Sequence, residues 1–359
     1  MSDLKKTERF IVSGISLPIK ASRDDAFGKA EKALLKFFSG DEILSYNISR
    51  RSVDARKKSD IRFVYSVSAD VRSNKLYDVA ALAASKIIKV ADSSIEAKHG
   101  TEKLCGRPVV VGFGPGGMFC AYILAKYGYR PIVIERGSDI KKRMADVARF
   151  KNEQILDPES NIQFGAGGAG TFSDGKLMTR INDNLCSFVI ETFHKLGAPE
   201  NILYEAKPHI GTDYLVGVVD NMLKELISLG ADVYFDTKMN GICESFGKVN
   251  KLRTSSGEIE CGALVLALGH SARDTVTELR NDNLRVIPKA FSVGVRIEHL
   301  QENIDFAMYG KSAYDGILPH AEYALSTHVG GRGVYTFCMC PGGEVAAAAS
   351  ERYGVVTNG

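Results

Sequence analysis

Gly112, Gly114 and Gly117 stand in the spacing G-x-G-x-x-G directly after the apolar run Val109, Val110, Val111. In a strand, turn and helix that spacing gives each glycine its own task. The first permits a tight turn, the second lets the backbone approach a pyrophosphate, and the third lets the helix pack closely on the strand. Pro115 and Gly116 lie between them, at a helix start whose free amides face an anion. Farther on, IVIE brings Glu135 to the tip of the next strand. There its carboxylate can accept both ribose hydroxyls of an adenine dinucleotide, and its charge opposes a 2′-phosphate. A glycine triplet alone occurs by chance. A crossover without a ligand would have to explain three glycines, two apolar strands and the acid all in register.

A second glycine cluster, GAGGAGTFSDGKLM, covers residues 165–178. It falls one residue short of a nucleoside triphosphate loop: Gly170, Gly175 and Lys176 are present, but Leu177 occupies the place of the hydroxyl that would bind Mg²⁺. The preceding NIQF is also a poor buried strand. What remains is a loop of Gly165, Gly167, Gly168, Gly170 and Gly175 with Thr171, Ser173, Asp174 and Lys176 among them. Such a loop brings backbone amides close to a flat or anionic ligand. We read it as a second ligand-binding loop, with a bare glycine hinge as the alternative.

Other groups able to do chemistry are few. His270, followed by Ser271, Arg273 and Asp274, is the candidate acid, base or anion-binding cluster, though HSARD reads equally well as the cap of a following helix. His320 and His328 flank an apolar segment, and lone histidines are more often structural. The seven cysteines, 105, 120, 186, 243, 261, 338 and 340, form no metal-binding spacing, so no metal is expected. Cys338 and Cys340 would share a face in an extended segment; two buried thiols are the plainer reading, and a redox pair the alternative.

These groups need elements to position them. The 359 residues suffice for two or three domains, and 45% hydrophobic with 25% charged residues fits an α/β protein. A strand near RFIVSGISLP, a helix from RDDAFGKAEKALLKFFSG stopped at Gly40, two strands and a helix at LYDVAALAASKII suggest a small α+β domain over residues 1–100. From Arg107 the chain reads strand, glycine turn, helix, strand. Residues 101–195 are therefore assigned to a first part of a dinucleotide-binding domain together with the glycine loop. Residues 196–280 add a helix closed by Gly230, the strand DVYFDTKM, a meander of short strands, and the buried strand ALVLALG ending at Ala267, Leu268 and Gly269. Residues 281–359 form a partial further domain.

The net charge of +3 is too small to predict nucleic-acid or membrane binding for the whole chain, and no apolar run has the length of a membrane span. The N-terminus lacks a secretory pattern, so a cytoplasmic location is expected. One local exception is RRSVDARKKSDIR at residues 50–62, six basic residues against two acidic, at a hairpin tip that is either a solvated turn or an RNA or protein contact.

A β-meander leading into a strand that ends in an Ala-Thr-Gly-like turn resembles the flavoproteins with two dinucleotide-binding domains; here Leu268 replaces the threonine. That favours FAD over NAD as the bound dinucleotide. SNIQFGAGGAGTFSDGKL, LALGHSARDT, FSVGVRIEH and VYTFCMCPGGEV together resemble the bacterial uncharacterised FAD-dependent dehydrogenase family, over nearly the whole chain. The resemblance implies an α/β fold: a Rossmann-like FAD-binding domain with a β-meander, a small N-terminal α+β domain and an interrupted substrate domain, related to the glutathione-reductase superfamily. It implies that Gly112, Gly114 and Gly117 lie at the pyrophosphate, Glu135 at the ribose, and Ala267 and Gly269 beside the flavin. Arg136 and Arg143 are then phosphate neighbours, Gly168, Gly170, Thr171, Asp174 and Lys176 belong to the flavin loop, and the backbone around Lys238 and Met239 meets the adenine. Members of the family continue past a segment like VVTNG, so this chain is expected to be a fragment or a truncated product whose flavin would be partly enclosed. The expected activity is FAD-dependent oxidation or reduction of a small molecule, with NAD(P)H as a candidate electron donor. The alternatives are an RNA-modifying or RNA-binding flavoprotein and a flavoprotein without catalysis.

Overall fold

The computed structural model describes residues 7–90, 100–172, 175–179, 181, 183–337 and 339–358. Its architecture is mixed α/β, with parallel and antiparallel sheets.

The first part runs β1 (Thr7–Pro18), α1 (Arg23–Leu34), β2 (Ile43–Asp54), β3 (Arg62–Arg72), α2 (Val79–Ala84) and β4 (Ile87–Val90). Its antiparallel sheet has the order β2-β3-β1-β4. Period-two alternation sends Phe63, Tyr65, Val67, Ala69 and Val71 of β3 into the core. Helix α1 starts where Ser22 and Asp25 cap each other's backbone amides, and it turns Ala26, Ala30 and Leu34 onto that core. Its last helical residue is Leu34, before the Gly40 stop read from the sequence. The helix expected through Ile88 ends at Ala84. Lys86 takes a left-handed φ of 59°, and the β-branched pair Ile87 and Ile88 then pairs with β1 as a fourth strand, burying Ile87.

The second part brings β5 (Pro108–Val111), α3 (Pro115–Lys126), β6 (Ile132–Ile134), α4 (Ile140–Glu153), α5 (Asn184–Lys195), α6 (Thr212–Ser228) and β7 (Asp232–Tyr234). The meander β8 (Met239–Ser245), β9 (Lys248–Thr254) and β10 (Gly257–Glu260) follows, and then β11 (Ala263–Leu266) and α7 (Arg273–Asn281). The strand read at DVYFDTKM breaks in two, with Asp236 in a left-handed conformation between β7 and β8. The parallel sheet has the order β11-β5-β6-β7. It is covered on both faces. Val110 and Val133 meet Met118 and Tyr122 of α3 and Val218, Met222 and Leu226 of α6, whereas Val109, Val111 and Ile134 meet Met239, Ile242 and Leu252 of the meander.

Beyond α7 lie α8 (Gln301–Tyr309) and the strands β12 (Ser326–Val329), β13 (Arg332–Tyr335), β14 (Ala346–Ala347) and β15 (Thr357–Asn358). Much of this part is exposed. Phe291, Val293, Val295 and Ile297 stand at every second position of a stretch with neither helix nor strand and are 84%, 84%, 89% and 67% accessible.

The parts are joined by named contacts. The Arg51 amide on β2 donates to the Tyr204 carbonyl, and the Ala206 amide donates back to the Arg51 carbonyl. The Arg51 guanidinium pairs with Glu205 and lies over the rings of Phe63 and Tyr204. At the tip of the β2–β3 hairpin Ile61 is buried with Tyr309 and Ala321. Within the basic stretch, Arg51, Arg56 and Arg62 pair with Glu205, Asp54 and Asp60. The second face of β3 presents Arg62, Val64, Ser66, Ser68 and Asp70, without the aromatic side chains on which RNA bases stack. Among the described residues no helix is long and apolar enough to cross a membrane, and no group of three His, Cys, Asp or Glu could hold a metal.

Candidate functional site

A cleft of about 540 Å³ opens at the carboxyl ends of β5, β6 and β11. That is where ligands bind in open parallel sheets. Gly112, Gly114, Pro115, Gly116, Glu135, Arg136, Gly168, Met239, Ala267 and Gly269 line it, together with His270.

The glycine turn explains how the cleft stays open at its base. Gly112 has φ 104° and abuts β11, so that a Cβ on it would overlap the Ala267 carbonyl oxygen. A Cβ on Gly117 would overlap the Gly112 carbonyl oxygen, so the glycine is what allows α3 to sit so close to β5. Gly116 differs: a Cβ there would meet nothing within 4 Å. Helix α3 begins at Pro115 with Gly114 as N-cap and no side-chain cap. Its first-turn amides therefore have no intrahelical acceptor and carry the positive end of the helix dipole. Gly117 is buried behind them and does not line the cleft.

Glu135 is buried, and its bonding differs from the ribose role read from the sequence. Oε2 accepts from the Phe113 amide at 2.7 Å, and Oε1 accepts from the Gly137 and Gly165 amides, both at 2.9 Å. Among the described residues, three of the four lone-pair positions are filled. One remains, on Oε2, where two ribose hydroxyls were expected.

Arg143 likewise takes a different place. Its guanidinium is fully buried outside the lining of the cleft, donating to the carbonyls of Asn161, Ile162, Ala166 and Gly168 and lying over the Phe172 ring. Burial pushes it down to about 10, opposed by the charge of Glu135. Expected at a phosphate, it instead organises the glycine loop from within. No local pattern announced this, because the acceptors are main-chain carbonyls 18 to 25 residues away.

The loop itself is stitched to the glycine turn. The Gly167 amide donates to the Phe113 carbonyl, the Ala166 amide to the Ser138 carbonyl, and Gly168 packs on Gly114 and Pro115. Phe164, Gly165, Gly168 and Ala169 face the cleft. Gly170 and Thr171 do not line it, and the buried Thr171 hydroxyl has no hydrogen-bond partner among the described residues. Lys176 lies farther off and donates to Cys340 Sγ at 3.1 Å. Ser173, Asp174 and Cys338 lie outside the described residues, so their readings are untouched. Gln163 was missed: it lines the cleft, and its amide donates to the Ala348 carbonyl.

At the far rim four charged groups meet. Arg136 bonds Asp274 through two nitrogens, each at 2.9 Å, and Glu159 at 2.7 Å, while its guanidinium lies 4.1 Å from the Phe164 ring centre. Lys238 reaches Asp274 at 2.7 Å and Glu159 at 3.4 Å. Burial would raise Asp274, but hydrogen bonds from Arg136, Lys238 and the Thr275 amide outweigh it and hold the carboxyl well below the usual range. The backbone of Lys238, read as meeting adenine, exchanges bonds with Ser255. His270 contacts Ser271 at 3.3 Å, and the HSARD segment leads directly into α7. His320 belongs elsewhere, paired with Asp305 at 3.0 Å.

Two family models match the chain. Residues 290–359 match "FAD-dependent protein, C-terminal domain-like", and residues 12–70 match a domain of unknown function. An uncharacterized protein of Clostridium beijerinckii is 46% identical over 346 residues; the match takes in 95% of this chain and 65% of that protein. The chain therefore spans about two thirds of its relative's length. Among solved structures, THI4 of Thermovibrio ammonificans overlays at TM-score 0.34 and 18% identity, covering 50% of this chain and 64% of that one. Glycine oxidase of Bacillus cereus overlays at TM-score 0.30 and 16% identity, covering 45% and 55%.

Proposed function

We propose that the cleft holds the adenine dinucleotide FAD and that the protein is a Rossmann-type FAD-dependent oxidoreductase acting on a small molecule. The observation that carries this is the uncapped start of α3, at Gly114, Pro115 and Gly116, opening into a cleft between the carboxyl ends of parallel strands. Backbone amides there suit a pyrophosphate. Gly116, where a side chain would meet only open space, leaves room for one, so the residues present fit the group. The match of residues 290–359 to a FAD-dependent family supports the choice of dinucleotide.

In this reading the α3 amides hold the diphosphate, the last acceptor position of Glu135 takes one ribose hydroxyl, and Gly168, Ala267 and Gly269 border the flavin end. When bound, FAD supplies the electron transfer, and the protein orients it and excludes side reactions. His270, on the lining beside Gly269, is the candidate proton donor or acceptor. NAD(P)H is the candidate electron donor.

The test is the spectrum of the purified protein after incubation with FAD and removal of excess. Retained absorbance bands of oxidised flavin with about one FAD per chain are expected. A colourless protein would overturn the reading. Mixing the loaded protein with NADH or NADPH without oxygen then tests the donor by bleaching of those bands.

A further inference from the structure

Arg136 directly follows the acid at the tip of β6, the position from which an arginine commonly accommodates a 2′-phosphate on the adenosine ribose. Lys238 lines the same end of the cleft. Two cations there would ordinarily invite a phosphate. Here they are already bonded. Arg136 gives Nε, Nη1 and Nη2 to Glu159 and Asp274, and Lys238 is shared between the same two carboxylates. Neither carboxylate lines the cleft, so both hold the cations from behind. The four groups sum to zero charge, and with Glu135 the adenosine end carries a net charge of −1 by count of these five residues.

We propose that Glu159 and Asp274 are specificity-determining residues that mask Arg136 and Lys238, so that the cleft selects an adenosine ribose with a free 2′-hydroxyl over one bearing a 2′-phosphate. This rests on the reading of the cleft as an adenine dinucleotide site. A phosphate would have to displace a bidentate carboxylate from Arg136 and enter beside three acids. Replacing both acids by amides removes two negative charges and leaves the two cations in place, Arg136 still over the Phe164 ring. The variant's adenosine end then attracts the added phosphate.

The probes are 5′-ADP and adenosine 2′,5′-bisphosphate, measured by calorimetry on the protein without added flavin, with FAD retention measured alongside. The wild type is expected to prefer 5′-ADP by at least tenfold. In Glu159→Gln/Asp274→Asn that ratio is expected to move at least tenfold toward the bisphosphate while FAD is still retained. If the wild type binds 5′-ADP and FAD but the ratio does not move in the variant, the masking is refuted and the site reading survives. If the wild type binds neither, both fall. Should the double variant fail to fold, Asp274→Asn alone is decisive, because it removes the bidentate partner of Arg136 and the nearer partner of Lys238: a shift of at least threefold in the same direction supports masking, and no shift refutes it.

Discussion

Glu135 and Phe113 are joined by a 2.7 Å hydrogen bond in which the buried carboxylate accepts the amide inside the glycine turn. The other oxygen of the same carboxylate accepts from Gly137 and Gly165, so one side chain ties together the turn, its own loop and the glycine loop. Glu135→Gln replaces one acceptor oxygen with a donor that faces an amide. Buried hydrogen bonds to a charged group are worth about 1.5–3 kcal/mol each. The protein without cofactor is therefore expected to lose about 2–3 kcal/mol, read by urea unfolding. A residue that served only a bound ribose would leave that stability unchanged.

Arg143→Met should unravel the glycine loop. Four buried carbonyls would lose the guanidinium, and of these Gly168 keeps the Thr171 amide; at roughly 1–3 kcal/mol for each left unsatisfied, a loss of about 4 kcal/mol is expected after relaxation. Limited proteolysis should cut within residues 161–172 in the variant and spare them in the wild type.

Thr171→Val is expected to act in the opposite sense. The Thr171 hydroxyl is buried without a partner among the described residues, and a near-isosteric methyl removes that penalty, a gain of about 1 kcal/mol in thermal unfolding. If the same variant lost FAD by tenfold or more, the hydroxyl would have a ligand role.

The pH dependence follows from Asp274. Its folded carboxyl is held below the usual value, so its stabilising share is complete above the unfolded value, about 4, and is lost only as pH falls through the lowered folded one. The difference in melting temperature between wild type and Asp274→Asn should therefore stay constant from about pH 7 to about pH 5 and shrink on further acidification. A difference that vanished already near pH 6 would contradict the assigned bonding.

Phe291, Val293, Val295 and Ile297 put four large apolar side chains into solvent within seven residues. Exposed apolar side chains of this kind bind other apolar matter. Val293→Lys/Val295→Lys is expected to lower binding of a fluorescent apolar dye by at least half, with unfolding free energy changed by no more than about 0.5 kcal/mol.

Much of the cleft could be read along the chain because its determinants are local. Gly112, Gly114, Pro115 and Gly116 sit within five residues, Glu135 follows one helix later, and the turn at Ala267 to Gly269 ends a continuous apolar run. Where the reading failed, the cause was distance or competition. Arg136 and Asp274 meet across 138 residues, and nothing near either one predicts the other. Arg143 finds carbonyls, which have no sequence signature. At Ile87 and Ile88 an apolar run fits a helix as well as a strand, and the open edge of β1 decided for the strand.

The exchange of backbone hydrogen bonds between Arg51 and residues 204 and 206, with Ile61 lodged beside Tyr309, bears on how the chain can be divided. Severing it near residue 100 would uncover an arginine stacked on two aromatic rings and leave Ile61 without its cover. Residues 7–90 thus serve as a buttress for the segment that leads through Pro208 and Ile210 to Gly175 and Leu177, and any shortened version should carry both sides of that joint.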